Sequence, residues 1–172
     1  MKNQTCEIRI YVACLASYNN GHLHGRWIYA NQSAAAIWAL VSDMLKDSPI
    51  EEAEEWAIHD YEGFEGATIS EWESFERISE IAAFIAEHGE LGGKLIAYFD
   101  SLEDARTAIN DQYAGQYRST ADFVQEVTEQ STEIPKSLQY YIDWESMARD
   151  CEINDILTIE TGFESFHIFW RA

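Results

Sequence analysis

Two histidines, His22 and His24, stand one residue apart in the run YNNGHLHG, a spacing that on a strand turns both imidazoles to one side. Zinc requires three or four such ligands, and the other donors, His59, Asp60 and His167, are remote and without recognised spacing. The pair therefore reads as ordinary polar loop histidines, and no metal is expected. The stretch HGELGGKL has the glycines and lysine of a phosphate-binding loop. Its interval from Gly89 to Gly93 is one residue short, however, and Leu95 stands where Ser or Thr is needed. No G-x-S-x-G occurs, so a serine hydrolase of that fold has no support. Carboxylate pairs beside rings could serve glycoside hydrolysis. With 31 Asp and Glu among six Trp, nine Tyr and eight Phe, such pairs arise by chance. That hydrolase is kept only as an alternative. Cys6, Cys14 and Cys151 are odd in number and lack C-x-x-C spacing, so they read as free thiols. The chain is read as a non-enzyme with no cofactor.

The elements that must carry any site follow from periodicity and punctuation. Residues 7–15, EIRIYVACL, alternate and are rich in Ile, Tyr and Val, so a strand is expected; 18–25 supply a turn, and 26–30 a second strand. Ser33 can cap a helix to about Lys46 with Ala35, Ile37, Trp38, Leu40, Val41 and Leu45 on its apolar face, stopped by Pro49. Residues 54–61, EEWAIHDY, read as a third strand, closing a first small domain near residue 61. The glycines of YEGFEG mark a boundary. Ser70 with Glu73 fits a capping box that opens a helix ending at Gly89, with Trp72, Phe75, Ile78, Ala82 and Ile85 buried. A loop and a short apolar element are expected over 89–101. Caps at Ser101 and Ser119 start two more helices around a strand at 113–119, residues 143–151 read as helical, and 156–172 read as paired strands across Gly162.

Charge is the dominant compositional feature. The 172 residues hold 31 acids against 11 Lys and Arg, a formal charge of −20. Residues 1–42 carry one acid and three bases, so the other 30 acids and eight bases give residues 43–172 a net of −22. The densest stretch, 47–80, has twelve acids and one base, Arg77. Like charge at that density opposes compaction, and an ordinary solvated helix face mixes signs at i,i+4 spacing. A general high-salt adaptation would spread acids over the whole chain, which the first 42 residues contradict. The acidity is therefore read as functional. Glu73, Glu76, Glu80 and Glu87 recur at steps of three, four and seven, which on one helix places them on a single stripe with roughly 5 Å between successive turns. Duplex phosphates advance about 3.4 Å per nucleotide, a similar scale. Direct binding to nucleic acid is excluded, because phosphate contacts need clustered Lys and Arg and the bases here are scattered singly. An anionic membrane would repel the chain for the same reason. No run nears 18 apolar residues, and Glu7 and Arg9 interrupt any apolar signal core, so a cytoplasmic location is expected.

Several runs together carry a family resemblance: Tyr11-Val12-Ala13; Tyr18-Asn19, Gly21, Leu23, Gly25 and Trp27; and Ala57-Ile58-His59-Asp60-Tyr61-Glu62. Further along stand Phe99-Asp100-Ser101 with Glu103-Asp104-Ala105; Tyr113, Gly115 and Tyr117; and Tyr141-Ile142-Asp143. In this order they resemble the ArdA antirestriction proteins of conjugative plasmids and transposons, over nearly the whole chain. The central loop Gly63-Phe64-Glu65-Gly66 departs from the pattern, in a region where members vary. The resemblance implies an elongated α+β chain of three small domains. They are placed at 1–61 (sheet plus helix), 62–103 (helical middle) and 104–172 (mixed, with the dimer contact). It also implies a homodimer whose surface imitates DNA and occupies the DNA groove of the methyltransferase core of type I restriction–modification enzymes. The acids expected to stand for phosphates are Asp47, Glu51, Glu52, Glu54, Glu55, Asp60, Glu62, Glu65, Glu73, Glu76, Glu80, Glu87, Asp104, Asp111, Asp122, Glu126 and Glu129. An acidic adaptor for basic proteins is the other alternative. Tyr140, Tyr141 and Ile142 could lie at a subunit contact or in a core.

Overall fold

Alternation of apolar and polar residues in RIYVAC produces strand β1 (Arg9–Cys14), the middle strand of the first of two small antiparallel sheets. The computed structural model describes residues 7–172, so Cys6 lies outside the described residues. β1 is flanked by β2 (Gly25–Tyr29) and β3 (Trp56–Glu62), in the order β2-β1-β3. A five-residue helix, α1 (Leu15–Asn19), follows β1 directly. It was not expected, lying between the end of the expected strand and the turn at 18–25, and the Cys14 sulfur caps it by accepting from the Ser17 N–H. The chain divides into two compact units, Met1–Asp100 and Ser101–Ala172.

Ser33 caps α2 (Ala34–Lys46) as its sequence predicts, by accepting from the Ala36 N–H. The buried face is Ile37, Val41, Met44 and Leu45. Ala35 is exposed, and Trp38 is 47% exposed at the edge of that face, against the rings of Trp56 and Phe75. α2 packs on β1, β2 and the long helix α3 (Phe75–Phe99).

The start of α3 corrects the capping box at Ser70. Ser74 caps the helix, accepting from the Arg77 N–H, and Ser70 sits in a preceding turn closed by Glu73 N–H to Ser70 carbonyl. The cause is a long-range tie: the Ile58 N–H donates to the Glu71 carbonyl at 2.9 Å, so residue 71 is held to the edge of β3 and cannot wind into a helix. Trp72 consequently lies off the helix and is 62% exposed, while Phe75, Ile78, Ala82 and Ile85 are buried as expected. Gly89 breaks α3 with φ 60° and ψ −143°, a conformation glycine adopts without steric cost. Residues 90–99 then resume a helix in place of the expected loop, with Gly92, Gly93, Leu95 and Ile96 buried.

In the second unit, Ser101 and Ser119 cap α4 (Leu102–Thr107) and α5 (Thr120–Ser131). α4 runs into a single π turn, Ala108–Gln112. Asp143 caps α6 (Trp144–Asn154); the N–H and hydroxyl of Ser146 hold its carboxyl below the usual carboxylate range. The second sheet has the order β4-β6-β5, from β4 (Tyr113–Tyr117), β5 (Ile156–Gly162) and β6 (Ser165–Trp170). Ala121, Phe123, Val124, Ala148, Ile156 and Ile168 form its core, where α5 and α6 meet the sheet. Tyr140 and Tyr141, 94% and 85% exposed in a short 3-10 turn, are not part of it.

If Ser74 is the true cap, Ser74→Ala lowers stability by about 1 kcal/mol, whereas Ser70→Ala stays within roughly 0.5 kcal/mol of the parent. Urea denaturation of the two variants checks this.

Candidate functional site

A carboxylate has no inexpensive place in an apolar interior, so a chain this acidic must wear its charge outside. All 31 acids fall among the described residues; 28 are exposed, three (Glu65, Glu73 and Glu152) are half-buried, and none is buried. Of the seventeen acids singled out above, all but Glu65 and Glu73 are exposed. Acids outside that set, among them Glu71, Glu103, Glu133, Glu145 and Asp150, are equally exposed. Glu71 falls inside the dense stretch 47–80, and the others lie outside it.

The local scaffolds differ. Glu51, Glu52, Glu54 and Glu55 sit in the connection between α2 and β3 and form no ion pair among the described residues. Glu76, Glu80 and Glu87 lie on the exposed face of α3 before its break. Steps of four and seven residues place them about 6 and 10 Å apart along the axis. Glu73 does not join that stripe: it precedes the helix, and Arg77 lies 3.5 Å from its carboxylate. In the second unit, Asp122, Glu126 and Glu129 form a similar stripe along α5, at steps of four and three. Like charges at that spacing cost roughly 0.2–0.5 kcal/mol per pair, so the stripes persist against a real penalty.

Some anions are partly neutralised. Arg9 holds Glu62 at 2.7 Å while stacking over the Trp27 ring, and Arg26 approaches Asp47 at 3.8 Å. Glu126 accepts from the Tyr117 hydroxyl and Gln130, and Glu129 accepts from Gln125. Such contacts orient carboxylates without cancelling their charge.

Backbone geometry fixes others. Among the described residues, the four non-glycine positions with left-handed backbone are all acids: Glu52, Glu65, Asp100 and Glu164, with φ between 51° and 58°. Glu65 is further clamped by the helix of residues 90–99. A Cβ added at Gly93 would stand 2.6 Å from the Glu65 carbonyl oxygen and 2.7 Å from that of Phe64. The loop therefore rests directly on the helix backbone. Gly92 and Gly93 of HGELGGKL are thus helical and buried rather than part of an open phosphate loop.

Of the histidine pair, His22 is exposed and His24 is structural. His24 Nε2 lies 2.6 Å from the Met44 carbonyl, which can only accept, so the ring donates from Nε2 to the last turn of α2. His167 bonds the Tyr113 hydroxyl at 2.8 Å, and its burial lowers its pKa. Among the described residues, no group of three or more His, Cys, Asp or Glu is placed to hold a metal. Cys14 and Cys151 are free; burial opposes ionisation of Cys14, but hydrogen bonds with Ser17 and Ser48 outweigh it and lower the thiol's pKa. No helix of the described residues is long and apolar enough to cross a membrane.

The family model for the antirestriction protein ArdA matches residues 10–165 of the 172. The chain belongs to the ArdA family. No curated protein shows significant similarity to it. The matched span takes in the first sheet from Ile10 on, β4 and β5 of the second sheet, and almost every acid described above, so the ArdA assignment applies to both compact units.

Gly93→Ala drives a methyl group into the backbone under Glu65, so it should destabilise the first unit by about 1–3 kcal/mol. A thermal melt within a few tenths of a kcal/mol of the parent would show that the loop does not rest on the helix as described.

Proposed function

We propose that this antirestriction protein works as a DNA mimic, a homodimer that occupies the DNA-binding groove of the methyltransferase core of type I restriction–modification enzymes in the cytoplasm. The observation that carries the reading is the external placement of the acids, 28 of 31 exposed and none buried. Two helices each carry a stripe of three acids, and strained or clamped backbone holds several other carboxylates in place. A groove built for duplex DNA is lined with Lys and Arg, and a fixed polyanion gains from the same counterion release as DNA. The net −22 of residues 43–172, at one charge per about 1.7 Å, equals the charge of about 37 Å of duplex. Backbone-like charge carries no base sequence, so one decoy can serve against enzymes of different recognition sites. Fixed anions also lose little freedom on binding. Exposure of Tyr140 and Tyr141 supports placing the subunit contact around them.

The test is a gel-shift competition between the protein, a labelled duplex and a type I methyltransferase at two ionic strengths. The protein should displace the duplex, and its affinity should fall steeply with salt, by about 10³-fold or more between roughly 50 and 200 mM if six or more charges are matched. A ternary complex with DNA, or binding undiminished at high salt, contradicts the proposal. Equal affinity for unrelated basic proteins would point to the adaptor reading instead.

A further inference from the structure

In β3 the pairing with β1 slips: Tyr11 faces Asp60 and Val12 faces Ile58, leaving His59 as the extra residue of a bulge. Bulges re-aim side chains, and this one is on an edge strand. His59 turns toward α1, where its ring meets that of Tyr18 edge-on, with centroids 4.9 Å apart and planes at 82°. Glu71 is brought to the same place by the Ile58 N–H to Glu71 carbonyl bond. Tyr18, His59, Tyr61 and Glu71, over Ile58 and Ile69, thus enclose an open pocket of 490 Å³. The two isoleucines are buried, and Tyr18 and Glu71 stand exposed at the rim.

The chemistry of this pocket suits a cation of one shape. None of its six lining residues is Lys or Arg, and it holds one carboxylate. His59 Nε2 is 3.9 Å from Glu71 Oε1, beyond hydrogen-bond reach, so among the described residues the carboxylate has no donor. Rings set at right angles offer both a face and an edge. A planar guanidinium can stack on an aromatic face while its fork reaches a carboxylate, whereas an ammonium is a compact, strongly hydrated point charge. The surrounding acids, exposed and spread over the unit, attract any cation; here the ring of Tyr18 set edge-on to that of His59 stands beside a single carboxylate.

We propose that the bulge pocket receives an arginine side chain of the protein partner and gives the acidic surface a fixed point of register that charge alone lacks. The identity of the partner rests on the mimicry reading, but the specificity of the pocket does not. The experiment is an NMR titration of the intact protein with N-acetyl-arginine amide, and separately with N-acetyl-lysine amide. Arginine should give saturable shifts centred on Tyr18, His59 and Tyr61, with lysine binding there several-fold more weakly. Glu71→Gln should weaken the arginine site by roughly tenfold, and Tyr18→Ala should abolish its preference over lysine. Shifts spread evenly over the acids, or equal for both probes, or unchanged in Glu71→Gln, would overturn the proposal. Failure of mimicry would show instead as absent competition with duplex DNA, so the two failures are distinguishable.

Discussion

Mutual repulsion among carboxylates is the constraint to which the rest of the molecule answers. Thirty-one acids stand against eleven bases in the sequence, and the seven ion pairs that involve Lys or Arg among the described residues are mostly single and exposed. Pairs of that kind contribute about 0–1 kcal/mol each. Stability must therefore come from apolar burial. Each compact unit has a three-stranded sheet covered by helices, with side chains such as Ile10, Ile37 and Ile78 in one and Ile156, Ile168 and Phe169 in the other fully buried. Full burial of such a side chain contributes about 1.5–3 kcal/mol, enough to outweigh several i,i+4 repulsions.

The division of labour runs along each element. One side of α3 fills the core with Phe75, Ile78, Ala82 and Ile85 while the opposite side carries Glu76, Glu80 and Glu87. α5 does the same with Phe123 and Val124 against Asp122, Glu126 and Glu129. Packing thereby turns a flexible polyanion into fixed charge. Left-handed Glu52, Glu65, Asp100 and Glu164 carry the same logic into the loops, where glycine would be the easier residue but would bring no charge.

Local rules made much of this legible. Ser33, Ser101, Ser119 and Asp143 all cap the helices their sequences announce, because a cap needs only a neighbour three residues away. The strands of both sheets follow from alternation in the same way. What escaped were consequences of distant contacts. Ser70 carries the better capping pattern, yet the bond between Ile58 and Glu71, thirteen residues apart, moves the helix start to Ser74 and leaves Trp72 outside. Gly89 does end regular geometry, but burial of Leu95 and Ile96 rebuilds a helix after it. Exposure of the acids could be read from desolvation alone; the bulge at His59 could not, since register is a property of two strands.

The central claim is that the anions act collectively. Its most direct measurement is binding to a type I methyltransferase across a graded series of Gln and Asn substitutions. The series passes from Glu51, Glu52, Glu54 and Glu55 to Glu76, Glu80 and Glu87, and then to Asp122, Glu126 and Glu129. The account predicts that affinity falls by similar small factors at each step, with the salt dependence flattening in parallel. Complete loss on neutralising one of these carboxylates, with the others still in place, would contradict it.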